Sequence, residues 1–166
     1  AVVLDVNTGA ILALASYPTV DPIIFNQNAE LIQDRGVYVA AANDPGRRPL
    51  INRATQEQFL PGSVFKIITL TAALNEGIIT PDTVFDCGLE WEGAEFGDTI
   101  AIRYDWRNSE GRDAAGSVTP EQALMASCNP FFYEMGARLY NEVGGNVLDR
   151  YAQMMGLGRT YRANTI

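Results

Sequence analysis

The chain opens with two apolar runs separated by a short polar turn. The runs cover Val2–Val6 and Ala10–Ala15, and the turn between them is Asn7-Thr8-Gly9. Because a glycine tolerates the positive φ of a tight turn, this pattern predicts a β-hairpin. The runs are apolar at nearly every position rather than at alternate ones, which indicates strands covered on both faces.

Further along the chain, the apolar spacing changes to the period of helices. Residues 17–61 are rich in Pro, Asn and Asp and are predicted to be loop with one short helix near Asn28–Asp34. Residues 78–117 show no period and are predicted to be irregular. Helices are predicted at Ser63–Gly77, Thr119–Ala126, Phe131–Glu142 and Val147–Met155.

The helix predicted at Ser63 carries apolar side chains on almost all sides. Pro61-Gly62 provides the turn before it, and Gly77 ends it. A helix that is apolar all round is buried rather than amphipathic. Thr119-Pro120-Glu121 marks a second helix start, with an N-cap residue, a first-turn proline and an acid near the positive end.

Size and charge limit the class of protein. A chain of 166 residues and 18.1 kDa buries one core, so we expect one domain or part of one. The net charge is −8, the pI is near 4.4 and no basic run occurs, which argues against a nucleic-acid partner. No apolar stretch of the sequence reaches the length of a membrane span.

The residue types that are missing narrow the chemistry. The chain has no histidine, which excludes a Ser-His-Asp or Cys-His relay and most catalytic zinc sites. We expect neither a metal nor a cofactor. The two cysteines, Cys87 and Cys128, lie 41 positions apart and form no C-x-x-C pair. They are either buried thiols or one long-range disulfide, and buried thiols are the default expectation.

The only lysine, Lys66, lies three positions after a serine, Ser63. Positions i and i+3 share a helix face, so Lys66 is expected to reach back toward the Ser63 hydroxyl. Burial and the positive N-terminal end of a helix both lower the pKa of a lysine. A neutral Lys66 can then accept the serine proton, and the Ser63 backbone N–H can stabilise an oxyanion. The alternative is an N-cap serine followed by a lysine that extends to solvent.

Ser127-Cys128-Asn129 follows the helix predicted to end at Ala126. A serine and an amide two positions apart on a turn point in the same direction. Ser127 can pass a proton between Lys66 and a leaving nitrogen, and Asn129 can hold a substrate amide. Taken alone, the segment is more simply an ordinary turn between two helices.

Together, Pro61-Gly62-Ser63-Val64-Phe65-Lys66 and Ser127-Cys128-Asn129 resemble the first two motifs of the transpeptidase domain of penicillin-binding proteins. The segment VVLDVNTGAILALASYP is similar to the family's first two strands, and RATQEQFLPGSVFKIITLTAALNEG to the approach to its nucleophile helix. The resemblance spans nearly the whole chain and favours the monofunctional, class B branch. It implies an α+β fold of the penicillin-binding-protein and β-lactamase type.

The resemblance also implies a role for each motif residue. Ser63 attacks the penultimate D-alanine carbonyl of a peptidoglycan stem peptide, with Lys66 as the base and Ser127 as the proton relay. Asn129 binds the substrate backbone. An amine of a second stem peptide then resolves the acyl-enzyme, and β-lactams acylate the same serine. Trp106 either lines the substrate groove or is simply a buried aromatic.

The family's third motif, Lys-Thr/Ser-Gly, is absent because Lys66 is the only lysine. In the family this motif supplies the second oxyanion N–H, and losing one such donor typically costs about 10²–10³ in rate. We therefore expect residues 1–166 to be a partial transpeptidase domain that lacks later sheet strands and is weakly active or inactive alone. The hairpin edge is expected to pair with the missing strands or with another copy.

The implied partners are stem peptides and β-lactams, without nucleic acid or cofactor. The implied location is the outer face of the bacterial cytoplasmic membrane, with any anchor in a segment outside this chain. A serine β-lactamase, which hydrolyses its acyl-enzyme, and a penicillin-sensing domain, which retains it, are alternatives within the same chemistry. A non-catalytic transpeptidase-like module that binds cell-wall or division partners is the alternative of another class.

Overall fold

The computed structural model describes residues 1–25 and 35–158. The chain divides into two compact units, an N-terminal unit (Ala1–Leu60) and a C-terminal unit (Pro61–Ile166). Helices and short strands occur together, which agrees with the α+β class predicted from the sequence. Among the described residues, no helix has both the length and the apolar character that crossing a membrane requires.

The N-terminal unit begins with the predicted hairpin. Strands β1 (Val2–Leu4) and β2 (Ile11–Leu14) pair antiparallel. Asp5 closes the turn by accepting hydrogen bonds from two backbone N–H groups, and Gly9 has a φ of +72°. The prediction that both faces are covered is wrong, because every residue of the two strands is exposed. Apolar side chains show that a strand can be buried, but they do not show that another element covers it. Among the described residues, both strands remain in contact with solvent.

Helices follow the hairpin in a region predicted to be mainly loop. A 3-10 turn (Pro22–Phe25) precedes α1 (Arg35–Ala42) and α2 (Arg53–Gln56), and the Asn52 side chain caps α2. The presence of α1 contradicts the loop prediction. Its alanine-rich end favours a helix, whereas the prediction rested on the Pro, Asn and Asp residues around it. The short helix predicted near Asn28–Asp34 lies outside the described residues.

The C-terminal unit starts with a 3-10 turn that leads into a helix. Gly62–Phe65 form the 3-10 turn, and α3 runs from Lys66 to Asn75. The regular α-helix therefore begins three residues later than predicted. Its end agrees with the prediction, because Gly77 follows with a φ of +73°, the left-handed conformation typical of a helix stop.

Burial of α3 is uneven. Val64 in the 3-10 turn is 68% exposed and Ile67 is 53% exposed, so the prediction of burial on nearly every side is wrong at these positions. The buried residues of the helix are Ile68, Thr69, Ala72 and Ala73, and the half-buried Leu70 and Leu74 pack against the same core. An apolar sequence thus shows that a helix can be buried, but it does not show which of its faces pack against other elements.

The segment predicted to be irregular contains short regular elements. They are β3 (Phe85–Cys87), β4 (Glu90–Trp91), β5 (Arg103–Tyr104), α4 (Trp106–Ser109) and β6 (Gly116–Val118). Strand β3 pairs with β6 and β4 pairs with β5, both antiparallel. Strands of two or three residues are too short to display an alternating pattern, which is why the sequence does not reveal them.

The remaining helices begin close to the predicted positions. They are α5 (Pro120–Met125), α6 (Asn129–Arg138) and α7 (Val147–Met154), and a π-helical turn (Leu139–Val143) extends α6. Thr119 and Gln122 form a capping box at the start of α5, with backbone and side-chain groups satisfying each other.

The core of the C-terminal unit lies where α3 packs against α6 and α7. Phe131 is fully buried in it and contacts Phe85 and Phe132 edge to face, with ring centres 5.4 Å and 5.0 Å away. Such aromatic contacts stabilise beyond the area they bury. The core thereby fixes the start of α3 relative to the start of α6, and these two helix starts carry the predicted site residues.

Candidate active site

Ser63 lies in the exposed 3-10 turn that precedes α3. The residue before it, Gly62, has a φ of +55°. This left-handed conformation costs a residue with a side chain about 1–2 kcal/mol and costs glycine little. The turn therefore requires a glycine, and it presents the Ser63 hydroxyl to solvent, where a substrate can reach it.

Lys66, the first residue of α3, extends toward the turn between α5 and α6. Its Nζ donates to the Ser127 backbone oxygen at 2.7 Å, to Ser127 Oγ at 3.0 Å and to Asn129 Oδ1 at 2.6 Å. A lysine ammonium has three protons, so these three acceptors satisfy it fully. The half-buried lysine is thereby held against the second predicted motif.

Ser63 and Lys66 are connected through Ser127. The Ser127 hydroxyl donates to Ser63 Oγ at 3.1 Å and accepts from Lys66 Nζ at 3.0 Å. The Lys66 backbone N–H donates to the Ser63 backbone oxygen, but among the described residues no hydrogen bond joins the Lys66 amine to the Ser63 hydroxyl, so the two side chains are connected through Ser127. The Lys66 amine is instead occupied by its three acceptors on Ser127 and Asn129.

The pKa of Lys66 lies below its usual value of 10.5, chiefly because burial disfavours the charged amine. The negative charge of Asp105 opposes this effect, and the positive charge of Arg107 adds to it. The Lys66 nitrogen also lies 5.2 Å from the centre of the Phe132 ring. A lowered pKa increases the neutral fraction of the amine at a given pH, as a general base requires.

Ser127 has an unusual backbone conformation, with a φ of +50°. Few non-glycine residues adopt this region, and the strain is of the order of 1–3 kcal/mol. The turn is closed by hydrogen bonds from Ser127 N to Leu124 O at 3.0 Å and from Cys128 N to Ala123 O at 2.9 Å. The strained conformation turns the Ser127 hydroxyl toward Ser63 and Lys66.

Asn129, the first residue of α6, is fixed by three hydrogen bonds. Its Oδ1 accepts from Lys66, and its Nδ2 donates to the Tyr104 backbone oxygen at 3.2 Å. Its backbone N–H donates to an Asp105 carboxylate oxygen at 2.8 Å. Because the amide nitrogen is committed to Tyr104, the amide oxygen faces the lysine. The four predicted site residues, Ser63, Lys66, Ser127 and Asn129, are thus brought together.

The cysteines form a disulfide next to these residues. Cys87 in β3 and Cys128 are bonded and fully buried. The default expectation of buried thiols is therefore wrong about the bond, although it is right about burial. Spacing along the chain cannot decide the pairing, because the approach of β3 to the start of α6 is a tertiary contact. Cys128 Sγ also accepts the backbone N–H of Phe131 and caps α6.

Two charged residues near the site were not identified from the sequence. Asp105 is 1% exposed and accepts hydrogen bonds from Arg107 at its side chain and its backbone N–H, both at 3.0 Å. Asp105 caps α4, and an acid placed just before a helical turn was the signal that could have identified it. Trp106, proposed from sequence as a groove residue or a buried aromatic, is half-buried and borders an open cavity of about 420 Å³.

Among the described residues, Cys87, Asp105 and Cys128 bring possible metal-ligating atoms within 4.8 Å of one another. The two sulfur atoms are bonded to each other, so neither is the thiolate that a metal binds. The arrangement fits a cross-link beside a buried carboxylate rather than a metal centre.

The geometry of these groups suits acyl transfer. A path of hydrogen bonds runs from Ser63 Oγ through Ser127 Oγ to Lys66 Nζ. A neutral amine at the end of this path can accept a proton as the serine oxygen attacks a carbonyl carbon. This is an activated serine that needs no imidazole.

Comparison with known proteins places this geometry in a family. Residues 1–164 match the family model described as the penicillin binding protein transpeptidase domain. Peptidoglycan D,D-transpeptidase MrdA of Escherichia coli K12 is 35% identical over 159 residues, covering 93% of this chain and 22% of that protein. Peptidoglycan D,D-transpeptidase PbpA of Mycobacterium tuberculosis is 31% identical over 161 residues, covering 94% of this chain and 30% of that protein.

Solved structures show the same likeness. The penicillin G acyl-enzyme complex of penicillin-binding protein A from M. tuberculosis superposes with a TM-score of 0.75 at 30% identity, covering 95% of this chain and 34% of that one. The chain thus spans between about a fifth and a third of the length of the relatives that it matches.

Proposed function

Because the chain belongs to the penicillin binding protein transpeptidase domain family, we propose that its activity is peptidoglycan D,D-transpeptidation, with residues 1–166 as part of one transpeptidase domain. Ser63 is the nucleophile, Lys66 the base and Ser127 the proton relay, while Asn129 binds the substrate backbone. The observation that carries this proposal is the hydrogen-bond path from Ser63 through Ser127 to Lys66.

In the first half of the reaction, Ser63 Oγ attacks the penultimate D-alanine carbonyl of a stem peptide. Its proton passes through the Ser127 hydroxyl to neutral Lys66. When the tetrahedral intermediate collapses, the bond to the terminal D-alanine breaks, and the leaving nitrogen takes a proton back along the same path. A covalent acyl-enzyme on Ser63 remains.

In the second half, an amine of another stem peptide attacks the acyl-enzyme carbonyl. Lys66 accepts a proton from this amine by way of Ser127, and Ser63 is released with its proton restored. β-Lactams enter the first half only, since their ring nitrogen stays attached after ring opening. The names of the relatives support this substrate class, since MrdA and PbpA are peptidoglycan D,D-transpeptidases and one neighbour is a penicillin G acyl-enzyme.

The proposed location is the outer face of the bacterial cytoplasmic membrane, with the anchor in a segment outside this chain. The family, which acts in cell-wall synthesis, supports this location. The Cys87–Cys128 disulfide supports it as well, because disulfides persist in oxidising compartments and are rare in the cytosol.

The activity is tested with a stem pentapeptide that ends in D-Ala-D-Ala and an isotope-labelled amine acceptor, using the protein that contains this chain together with its third motif. We expect release of D-alanine and formation of a cross-linked product by mass spectrometry. Both signals should vanish in Ser63→Ala and persist in Ser117→Ala, a control at an exposed serine in β6. Turnover that survives Ser63→Ala would refute the proposal, and hydrolysis without transfer would replace the transpeptidase by a hydrolase.

A further inference from the structure

The turn that carries the proposed relay serine is held from outside at both of its ends. We define the Ser127 turn as residues 126–129. At its first end, Ala126 O accepts from the Arg107 guanidinium at 2.8 Å and from the Trp106 indole N–H at 3.2 Å. At its other end, Asn129 donates to Asp105 from the backbone and to Tyr104 from the side chain. Four consecutive residues, 104–107, therefore make four hydrogen bonds to one short turn.

This external support acts on a strained segment. Ser127 lies in the left-handed region, where an isolated chain spends little time. A conformation of this kind persists only when its surroundings over-determine it. Hydrogen bonds to charged groups are the stronger class, and two of the four come from Asp105 and Arg107.

Asp105 and Arg107 also hold each other. Arg107 Nη1 donates to Asp105 Oδ1 at 3.0 Å, while the second carboxylate oxygen, Oδ2, receives Asn129. The pair is largely enclosed, with side chains 0% and 13% exposed. The Asp105 carboxylate thus binds the Asn129 end of the Ser127 turn, and the Arg107 guanidinium paired with it binds the Ala126 end.

We propose that Asp105 and Arg107 are positioning residues for the acyl-transfer site, which clamp the Ser127 turn at its two ends and set the charge environment of Lys66. The inference rests on the proposed function, because the relay that the clamp holds is the one assigned to acylation. Neither residue touches the reacting atoms: Asp105 acts through Asn129, and Arg107 through Ala126.

The two residues have opposite effects on Lys66, and this gives the clamp a signature. Asp105 raises the pKa of Lys66 and Arg107 lowers it, against a background of burial that lowers it. Removing the Asp105 charge should therefore lower the pKa of Lys66, and removing the Arg107 charge should raise it. A residue whose charge does not reach Lys66 would shift neither.

The test compares Asp105→Asn and Arg107→Gln with the unchanged protein. Lysine labelled with ¹³C at Cε gives one side-chain signal from this chain, because Lys66 is its only lysine. Titration of that signal by NMR should show a lower midpoint in Asp105→Asn and a higher one in Arg107→Gln. Acylation by a fluorescent penicillin should fall about tenfold or more in both at the pH of their maximal rates, because each leaves a charged partner unpaired.

Arg112→Gln is the matched control. Arg112 stacks on the same Trp106 ring as Arg107, at 5.2 Å against 4.6 Å, but pairs with Glu110 and is exposed. We expect its Lys66 titration and acylation rate to match the unchanged protein. Arg107→Lys retains the charge but loses the two separate guanidinium donors that bind Asp105 and Ala126. It should therefore leave the titration midpoint of Lys66 unchanged and still slow acylation. This variant keeps the test available if Asp105→Asn does not fold.

The outcomes separate this inference from the proposed function. Midpoints that do not move, or that move in the same direction in Asp105→Asn and Arg107→Gln, overturn the inference even if Ser63 is acylated normally. Absence of acylation in an unchanged protein that also contains the third motif refutes the proposed function, while opposite shifts in the Lys66 titration would still support the clamp.

Discussion

At the scale of single residues, the protonation state of Lys66 controls the proposed reaction. Burial lowers its pKa, so the midpoint at which the amine loses its proton lies below pH 10.5. We expect the rate of acylation by a penicillin to rise with pH to a plateau, with a midpoint below 10.5. Stopped-flow or quench measurements across pH check this, and a midpoint at or above 10.5 would contradict it.

The same lowered pKa fixes the sign of a stability effect. Between the folded pKa of Lys66 and 10.5, the unfolded chain holds the proton more tightly than the folded chain. The free energy of unfolding should therefore increase as pH rises through that window. Lys66→Met removes this contribution, so subtracting its pH profile from that of the unchanged protein isolates Lys66 from other titrating groups.

Ser127 provides a second test at this scale, because strain and chemistry act on the same residue. Ser127→Gly relieves the left-handed strain, whereas Ser127→Ala retains it, and both lose the hydroxyl. We expect the free energy of unfolding of Ser127→Gly to be about 1 kcal/mol higher than that of Ser127→Ala, measured by urea denaturation. Both should lose acylation to a similar extent. An active Ser127→Ala would show that the hydroxyl is not the relay.

The sequence predicted that four site residues lie together but not how they are connected. Ser63 and Lys66 are indicated by their spacing at a helix start, whereas Ser127 and Asn129 were predicted from the resemblance of the two motifs to the transpeptidase family. The contact of Lys66 with Ser127 depends on how α3 packs against α6 across 61 positions, which no local pattern encodes. Asp105 was missed for the same reason, since its importance comes from the turn it contacts.

At the scale of elements, the disulfide joins β3 to the start of α6. It closes a loop of 41 positions, for which the chain-entropy relation gives about 4 kcal/mol of stabilisation. We expect the double variant Cys87→Ala, Cys128→Ala to lose an unfolding free energy of that order. Thermal or denaturant melts with and without a reductant measure it.

The reductant supplies the control for this prediction. Reduction should lower the stability of the unchanged protein toward that of the double variant and leave the double variant itself unaffected. Acylation should slow as well, because Cys128 lies between Ser127 and Asn129. Equal melting of the two proteins under oxidising conditions would contradict the prediction.

Elements with strong local signals were predictable, and the others were not. The hairpin turn, the capped start of α5 and the proline-led α6 each carry residues with a defined backbone preference. The two- and three-residue strands between 85 and 118 form only because partners distant in sequence pair with them. Their existence is a tertiary property that periodicity cannot reveal.

At the scale of the whole molecule, the hairpin presents exposed apolar surface. The large apolar side chains that are exposed on β1, β2 and their connection are Val2, Val3, Leu4, Val6, Ile11, Leu12 and Leu14. Such a surface, next to strand edges that no other described strand pairs with, favours association with another strand. We expect the 166-residue chain alone to self-associate as its concentration rises, measured by light scattering.

A charge on the hairpin should weaken this association. Leu12 is 66% exposed, so Leu12→Lys adds a charge to β2 without disturbing a buried contact. Thr8→Lys adds the same charge in the turn, away from the strands, and should leave association unchanged. A chain that stays monomeric at every concentration would contradict the predicted pairing of the hairpin edge.

The central claim is that Ser63 is an activated nucleophile, and the most direct measurement is the intact mass of the protein after incubation with a penicillin, beside Ser63→Ala. The account predicts one added penicillin per chain, mapped to Ser63 and absent from the variant. An adduct that survives Ser63→Ala would contradict it. So would unmodified protein both in the 166-residue chain and in a longer natural chain that includes the third motif.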